Sequence, residues 1–211
     1  MTYTPDSPLI GPSHATAAQC AAYILARPHG EYDEHDIAEV IVPGYVRVCE
    51  RVGLDWTLLI AQMCHETAYL SSWWSQRPRR NPAGIGVTGY STNPRHLVPA
   101  GPGWVYRGNT LVEGCAFASW TDDAIPCHAG RLLAYALTDA DIAPFPTGRD
   151  PELHQAQRSL IAQALAVRPL PPSYRGVAPS LRGLAGRWAV PGATYPDKIV
   201  TIANAIVRVR A

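Results

Sequence analysis

The stretch Asp55–Trp74, DWTLLIAQMCHETAYLSSWW, decides how the rest of the chain is read. It opens on an aspartate suited to a helix N-cap, carries apolar residues at helical spacing and ends in two adjacent tryptophans. The pattern predicts one helix over the whole stretch. Glu66 sits near its middle. On helical spacing its neighbours are Leu59, Met63, Leu70 and Trp73, with Gln62 and Tyr69 one turn away on either side. An acid on a mostly apolar stripe is costly to bury ionised, so it titrates high or faces a cleft. That is the setting a general acid needs near neutral pH.

Outward from that stretch, turn formers divide the chain. A proline-marked lead, residues 1–12, precedes a helix predicted over His14–Ala26 with Ser13 as cap. A second helix begins at Asp33 or Asp36, and Pro43-Gly44 is expected to kink or break it. Gly53 then turns the chain into the Glu66 helix. Residues 76–120 change character: Pro, Gly, Asn and Arg dominate, and the predicted strands are Trp104–Tyr106 and Leu111–Ala116. Helices return over Thr121–Leu137, from Asp150-Pro151 to Val167, and over Pro196–Val209. The expected architecture is mainly α (α+β), a helical lobe with a small β/loop lobe inserted after the Glu66 helix. Residues 13–211 are read as a single domain.

Composition narrows the function classes. Hydrophobic residues make up 47% and charged residues 17%, which excludes a disordered chain. A net charge of +1 gives no field that would draw the chain to nucleic acid, and no run reaches membrane-spanning length. The N-terminus lacks the basic and apolar regions of a secretory signal. Five cysteines, none in a CxxC pair, read as buried apolar thiols with at most one bridge and no zinc knuckle. No cofactor or metal is implied.

Four segments then take on meaning together: AQMCHETAYLSS (61–72), NPAGIGVTG (81–89), FASWTDDAIPCHAGRLLAYA (117–136) and LAGRWAVPGATYPDKIVTIANAI (184–206). In that order they resemble the glucosaminidase domain of peptidoglycan hydrolases, glycoside hydrolase family 73 and its relatives. The resemblance runs from about Trp56 to Ile206, and four motifs in order are more specific than any one. It implies a lysozyme-like fold with a cleft between a helical and a β-lobe. It also implies cleavage of the β-1,4 bond after N-acetylglucosamine in cell-wall glycan. The family's acid falls on Glu66, its loop on Asn81-Pro82-Ala83-Gly84-Ile85 and its last-helix tyrosine on Tyr195. Ala68 stands where the family has glycine, Ala83 where it has an aromatic and Ala118 where it has arginine.

Glycoside hydrolysis usually needs a second carboxylate beside the acid. Between Glu66 and Trp120 the one acidic side chain is Glu113, read either as that partner or as a strand-edge charge. Without a partner, the substrate's acetamide could act as nucleophile, or one acid could run a lytic transglycosylase-type reaction. Trp73, Trp74, Tyr90, Trp104, Tyr106 and Trp120 are read as sugar-stacking or packing aromatics, with Asn81, Gly84 and Ile85 in the loop beside them. Cys64-His65 and Cys127-His128 raise a thiol-peptidase alternative, but adjacent helical residues point about 100° apart, which suits neither pair. A muramidase and a non-catalytic wall-binding module complete the alternatives. The partner expected is the peptidoglycan glycan strand, the oligomeric state a monomer. The place of action expected is the cell wall, reached as a phage lysin, by non-classical export or as a fragment of a longer secreted protein.

Overall fold

The computed structural model describes residues 2–87, 103–107, 110–144, 148 and 150–210, with the backbone alone for 104–107, 110 and 111. Six α-helices dominate the described residues: α1 Ala17–Leu25, α2 Val42–Val52, α3 Trp56–Thr67, α4 Ile125–Ala136, α5 Pro151–Val167 and α6 Tyr195–Val207. The fold is mainly α. A two-stranded antiparallel ribbon, β1 Trp104–Arg107 and β2 Thr110–Glu113, pairs Trp104 with Glu113 and Arg107 with Thr110.

Helix α3 is the buried centre. Leu58, Leu59, Ile60, Ala61, Met63 and Cys64 are all at most 1% exposed, so apolar residues cover it on every side. It packs on α2 and α6, and α4 packs on α5. A Cβ at Gly130 of α4 would meet the Leu160 carbonyl oxygen of α5 at 2.2 Å, so only glycine lets these two helices lie this close. Asp55 caps α3 through the backbone N–H groups of Thr57 and Leu58. Tyr3 and Ser13 donate to the same carboxylate at 2.7 and 2.8 Å. The lead is thereby fastened to the core, and Leu9 exchanges backbone bonds with Asp55 and Pro179.

Several boundaries differ from the sequence expectations. The α1 cap is Thr16, which forms a reciprocal capping box with Gln19, rather than Ser13; Ser13 is engaged on Asp55. Pro43-Gly44 does not break its helix. A π-helical segment, Asp36–Ile41, precedes α2, and the Val42 N–H bonds the Ile37 carbonyl five residues back. The change from five-residue to four-residue spacing falls on Pro43, which has no N–H to leave unpaired. The same device recurs at Trp120–Ala124, where Ile125 bonds Trp120 and Pro126 follows. Helix α3 ends at Thr67, seven residues before Trp74. Ala68, Tyr69 and Leu70 follow with φ of 48°, 57° and 69°, a left-handed run that reverses the chain just past Glu66. The Thr67 hydroxyl, which accepts from Leu70 N–H at 2.8 Å, and the fully buried Leu70 side chain hold that run in place.

Candidate active site

Glu66 lies in the last turn of α3 and opens into a cleft of about 550 Å³. One wall is the Asn81 loop, with Ala83, Gly84, Ile85, Gly86 and Val87; the other comes from Arg131, Tyr135, Arg168 and the segment Arg187–Val190. Asn81 shapes the first wall from beneath. Fully buried, it accepts from Ile85 N–H at 2.8 Å and donates to the carbonyls of Ile85 and Cys115 at 2.8 and 3.0 Å. This closes the loop so that Gly84, at φ +60°, passes Glu66: a Cβ there would stand 3.8 Å from Glu66 Oε2.

The two carboxyl oxygens of Glu66 have different surroundings. Oε1 accepts from the Tyr195 hydroxyl at 2.6 Å and from the Trp188 indole N–H at 3.1 Å. Two donors on Oε1 leave Oε2, on the Gly84 side, as the oxygen that carries a proton when the group is neutral. Burial raises the Glu66 pKa above its ordinary value of 4.5, and the bonds from Tyr195 and Trp188 offset part of that rise.

Behind Glu66 runs a one-directional hydrogen-bond chain. The Gln62 amide N–H donates to the Tyr195 oxygen at 2.7 Å, which fixes the Gln62 carbonyl oxygen as acceptor for His128 Nε2 at 3.0 Å. His128 Nδ1 then accepts from the Tyr45 hydroxyl at 2.9 Å. Burial pushes the His128 pKa down to about 3, so the ring is neutral with its proton on Nε2, as the chain requires. Tyr195 stands at the first position of α6, held there by α3–α6 packing.

The expected site residues distribute unevenly. Glu66 and Tyr195 come together, and Trp74, Gly84 and Ile85 line the cleft. Asn81 acts under the loop instead of in the cleft. Trp73 is 41% exposed, lies edge-on to Trp74 and carries the Arg79 guanidinium 3.5 Å over its ring, away from the cleft lining. Trp120 is a core residue, buried edge-on against Tyr32, because its π-helical turn points it inward. Glu113 is exposed on β2 beside buried Val112 and does not line the cleft, since strand alternation turns it to the outer face. Tyr90 lies outside the described residues, as do the side chains of Trp104 and Tyr106.

The thiol alternative fares poorly on geometry. Cys64 is completely buried with its thiol pKa pushed far up by burial, and Cys127 is likewise buried and raised to about 12. All five cysteines are free. Sequence reasoning passed over Trp188, Tyr135 and the cleft arginines, and weighed His128 beside Cys127 in the thiol alternative. Only Trp188 carried a signal, as a lone indole between turn formers inside the motif that leads to Tyr195.

No protein-family model matches the chain, and no curated protein matches it. Among solved structures, the catalytic domain of the autolysin Auto from Listeria monocytogenes is similar, with a TM-score of 0.41 and 17% identity over 89% of this chain and 84% of that one.

Proposed function

We propose that this chain cleaves β-1,4 glycosidic bonds in the glycan strands of peptidoglycan, as an endo-β-N-acetylglucosaminidase-type hydrolase with Glu66 as general acid. The observation that carries the reading is the asymmetry of the Glu66 carboxyl. Oε1 is occupied by Tyr195 and Trp188, while the proton-bearing Oε2 faces the open cleft beside Gly84. A glycosidic oxygen placed there would receive the proton as its bond to carbon breaks. The motif order from Ala61 to Ile206 supports the choice of wall glycan as substrate.

One observation favours a second reading. All seventeen Asp and Glu residues lie among those described, and Glu66 is the one that lines the cleft. With no second carboxylate there, ionised Glu66 could take a proton from the sugar's own 6-hydroxyl, whose oxygen then closes on the anomeric carbon in place of water. The product would be an anhydro end. Mass spectrometry of fragments released from purified wall separates the readings. A reducing N-acetylglucosamine end is the expected result; an anhydro end would establish the transglycosylase, and a reducing muramic acid end a muramidase. Glu66→Gln is expected to release nothing, and full lysis by a folded variant would overturn the assignment.

A further inference from the structure

Three arginines line the cleft that Glu66 opens into: Arg131 from α4, Arg168 at the C-cap of α5 and Arg187 beside Trp188. None has a carboxylate partner among the described residues, whereas Arg77, Arg175 and Arg182 elsewhere are all salt-bridged. Arg131 is anchored by an Nη1 bond to the Arg168 carbonyl at 2.9 Å, and the Arg168 guanidinium would lie 3.9 Å from a Cβ at Gly86, at the foot of the Asn81 loop. The positive charge of Arg131 and Arg168 reaches half-buried Cys115, and that of Arg131 and Arg187 reaches Tyr135 between them. Their charge does not set the protonation of Glu66, which answers to burial, Tyr195 and Trp188.

Three like charges gathered in one concavity repel each other unless an anion completes the set, and planar guanidinium groups match carboxylates two bonds at a time. We propose that Arg131, Arg168 and Arg187 form an anion subsite that binds a carboxylate carried by the glycan, so that the cleft selects acid-bearing sugars over neutral ones. The proposal rests on the glycan-cleaving reading of the same cleft. The carboxylate has two sources: the lactyl ether of a muramic acid unit that carries no peptide, since attachment turns that carboxyl into an amide, or the acidic groups of an attached peptide. A neutral polymer of N-acetylglucosamine offers neither.

Calorimetric titration of the full chain tests the subsite without requiring turnover. The ligands are N-acetylglucosamine oligomers, N-acetylmuramic acid-containing oligomers of the same length, and the latter bearing their peptides. Binding of an acid-bearing oligomer about tenfold tighter than the neutral one, with the advantage lost in Arg168→Gln and in the exposed Arg187→Gln, is the expected result. An advantage seen with the peptide-free oligomer alone assigns the lactyl carboxylate, which becomes an amide once the peptide is attached. One seen with the peptide-bearing oligomer alone assigns the stem, and one seen with both shows that the subsite takes either carboxylate. Equal affinity for neutral and acid-bearing oligomers, or an advantage untouched in both folded variants, overturns the subsite. Absence of glycan cleavage by a chain that still shows the binding preference would sink the hydrolase reading and leave the subsite standing.

Discussion

The Tyr195 hydroxyl donates to Glu66 Oε1 at 2.6 Å across 129 positions of sequence, and Gln62 in turn donates to Tyr195 at 2.7 Å. Tyr195 therefore holds the acid by one oxygen and aims the other into the cleft. Tyr195→Phe keeps the ring and removes that hold. Because the tyrosine bond lowers the Glu66 pKa, its loss should move the basic limb of the pH–rate profile upward, and turnover should fall by about ten- to a hundredfold from misplacement of the acid. A variant with an unmoved profile would leave Tyr195 with a packing role only.

Glu66 should also leave its mark on stability. A carboxyl whose folded pKa lies above its unfolded one binds more protons in the folded state. Its contribution is fully present below the ordinary value of 4.5 and is lost as pH rises through the raised folded value. Glu66→Gln, which cannot ionise, should therefore melt higher than the parent chain at neutral pH, with the gain vanishing at acid pH. Calorimetric melting from pH 4 to pH 8 checks the sign. A Glu66→Gln chain destabilised at neutral pH would mean that ionised Glu66 is stabilised in the fold, against its burial.

The parts of this architecture legible in the sequence are those with local causes. Asp55 and Asp150-Pro151 announce their helices because a cap or a first-turn proline acts within three residues, and α6 shows its buried face in Ile199, Ile202, Ala203 and Ile206. The end of α3 has no such mark. Ala68, Tyr69 and Leu70 take left-handed conformations that their own side chains do not favour, imposed by the Thr67 bond and the burial of Leu70. Glu66 was legible through its position on an apolar helix and through the motif around it. Trp188, 122 positions away, meets it only because the turn before α6 folds over the cleft. Trp120 went astray for the opposite reason: an aromatic beside a motif resembles a sugar platform until a π-turn buries it.

His128 should reveal itself by what it does not do. The buried ring bonds Gln62 and Tyr45 only when neutral, and its folded pKa of about 3 lies far below the ordinary 6.5. A depressed folded pKa means that the unfolded state takes up the proton first as pH falls. The stability His128 contributes is present above about 6.5 and drains toward about 3, with a slope of up to about 1.4 kcal/mol per pH unit. Nitrogen-resolved NMR should show the Nε2–H tautomer unchanged from pH 5 to pH 8. His128→Ala strands the Tyr45 hydroxyl and the Gln62 carbonyl in a new cavity and should cost about 3–5 kcal/mol by urea unfolding. Titration of the ring near 6.5 in the folded chain would break the proposed order of the hydrogen-bond chain.

Ala68 is where the sequence itself invites improvement. It caps α3 at φ 48° and ψ 54°, is exposed, and its N–H already bonds the Cys64 carbonyl. A left-handed conformation costs a residue with a Cβ roughly 1–2 kcal/mol, while glycine adopts it freely. Glycine also loses more freedom on folding, by roughly 0.5–1 kcal/mol, so the two effects oppose each other and the conformational one is larger. Ala68→Gly should therefore stabilise the chain by about 0.5–1 kcal/mol, a rise in melting temperature of about 2 °C at this chain length. The substitution leaves Glu66 and its donors in place, so the pH–rate profile should keep its shape. Differential scanning calorimetry decides it, and a lowered melting temperature would mean that the turn after Glu66 is not left-handed at Ala68.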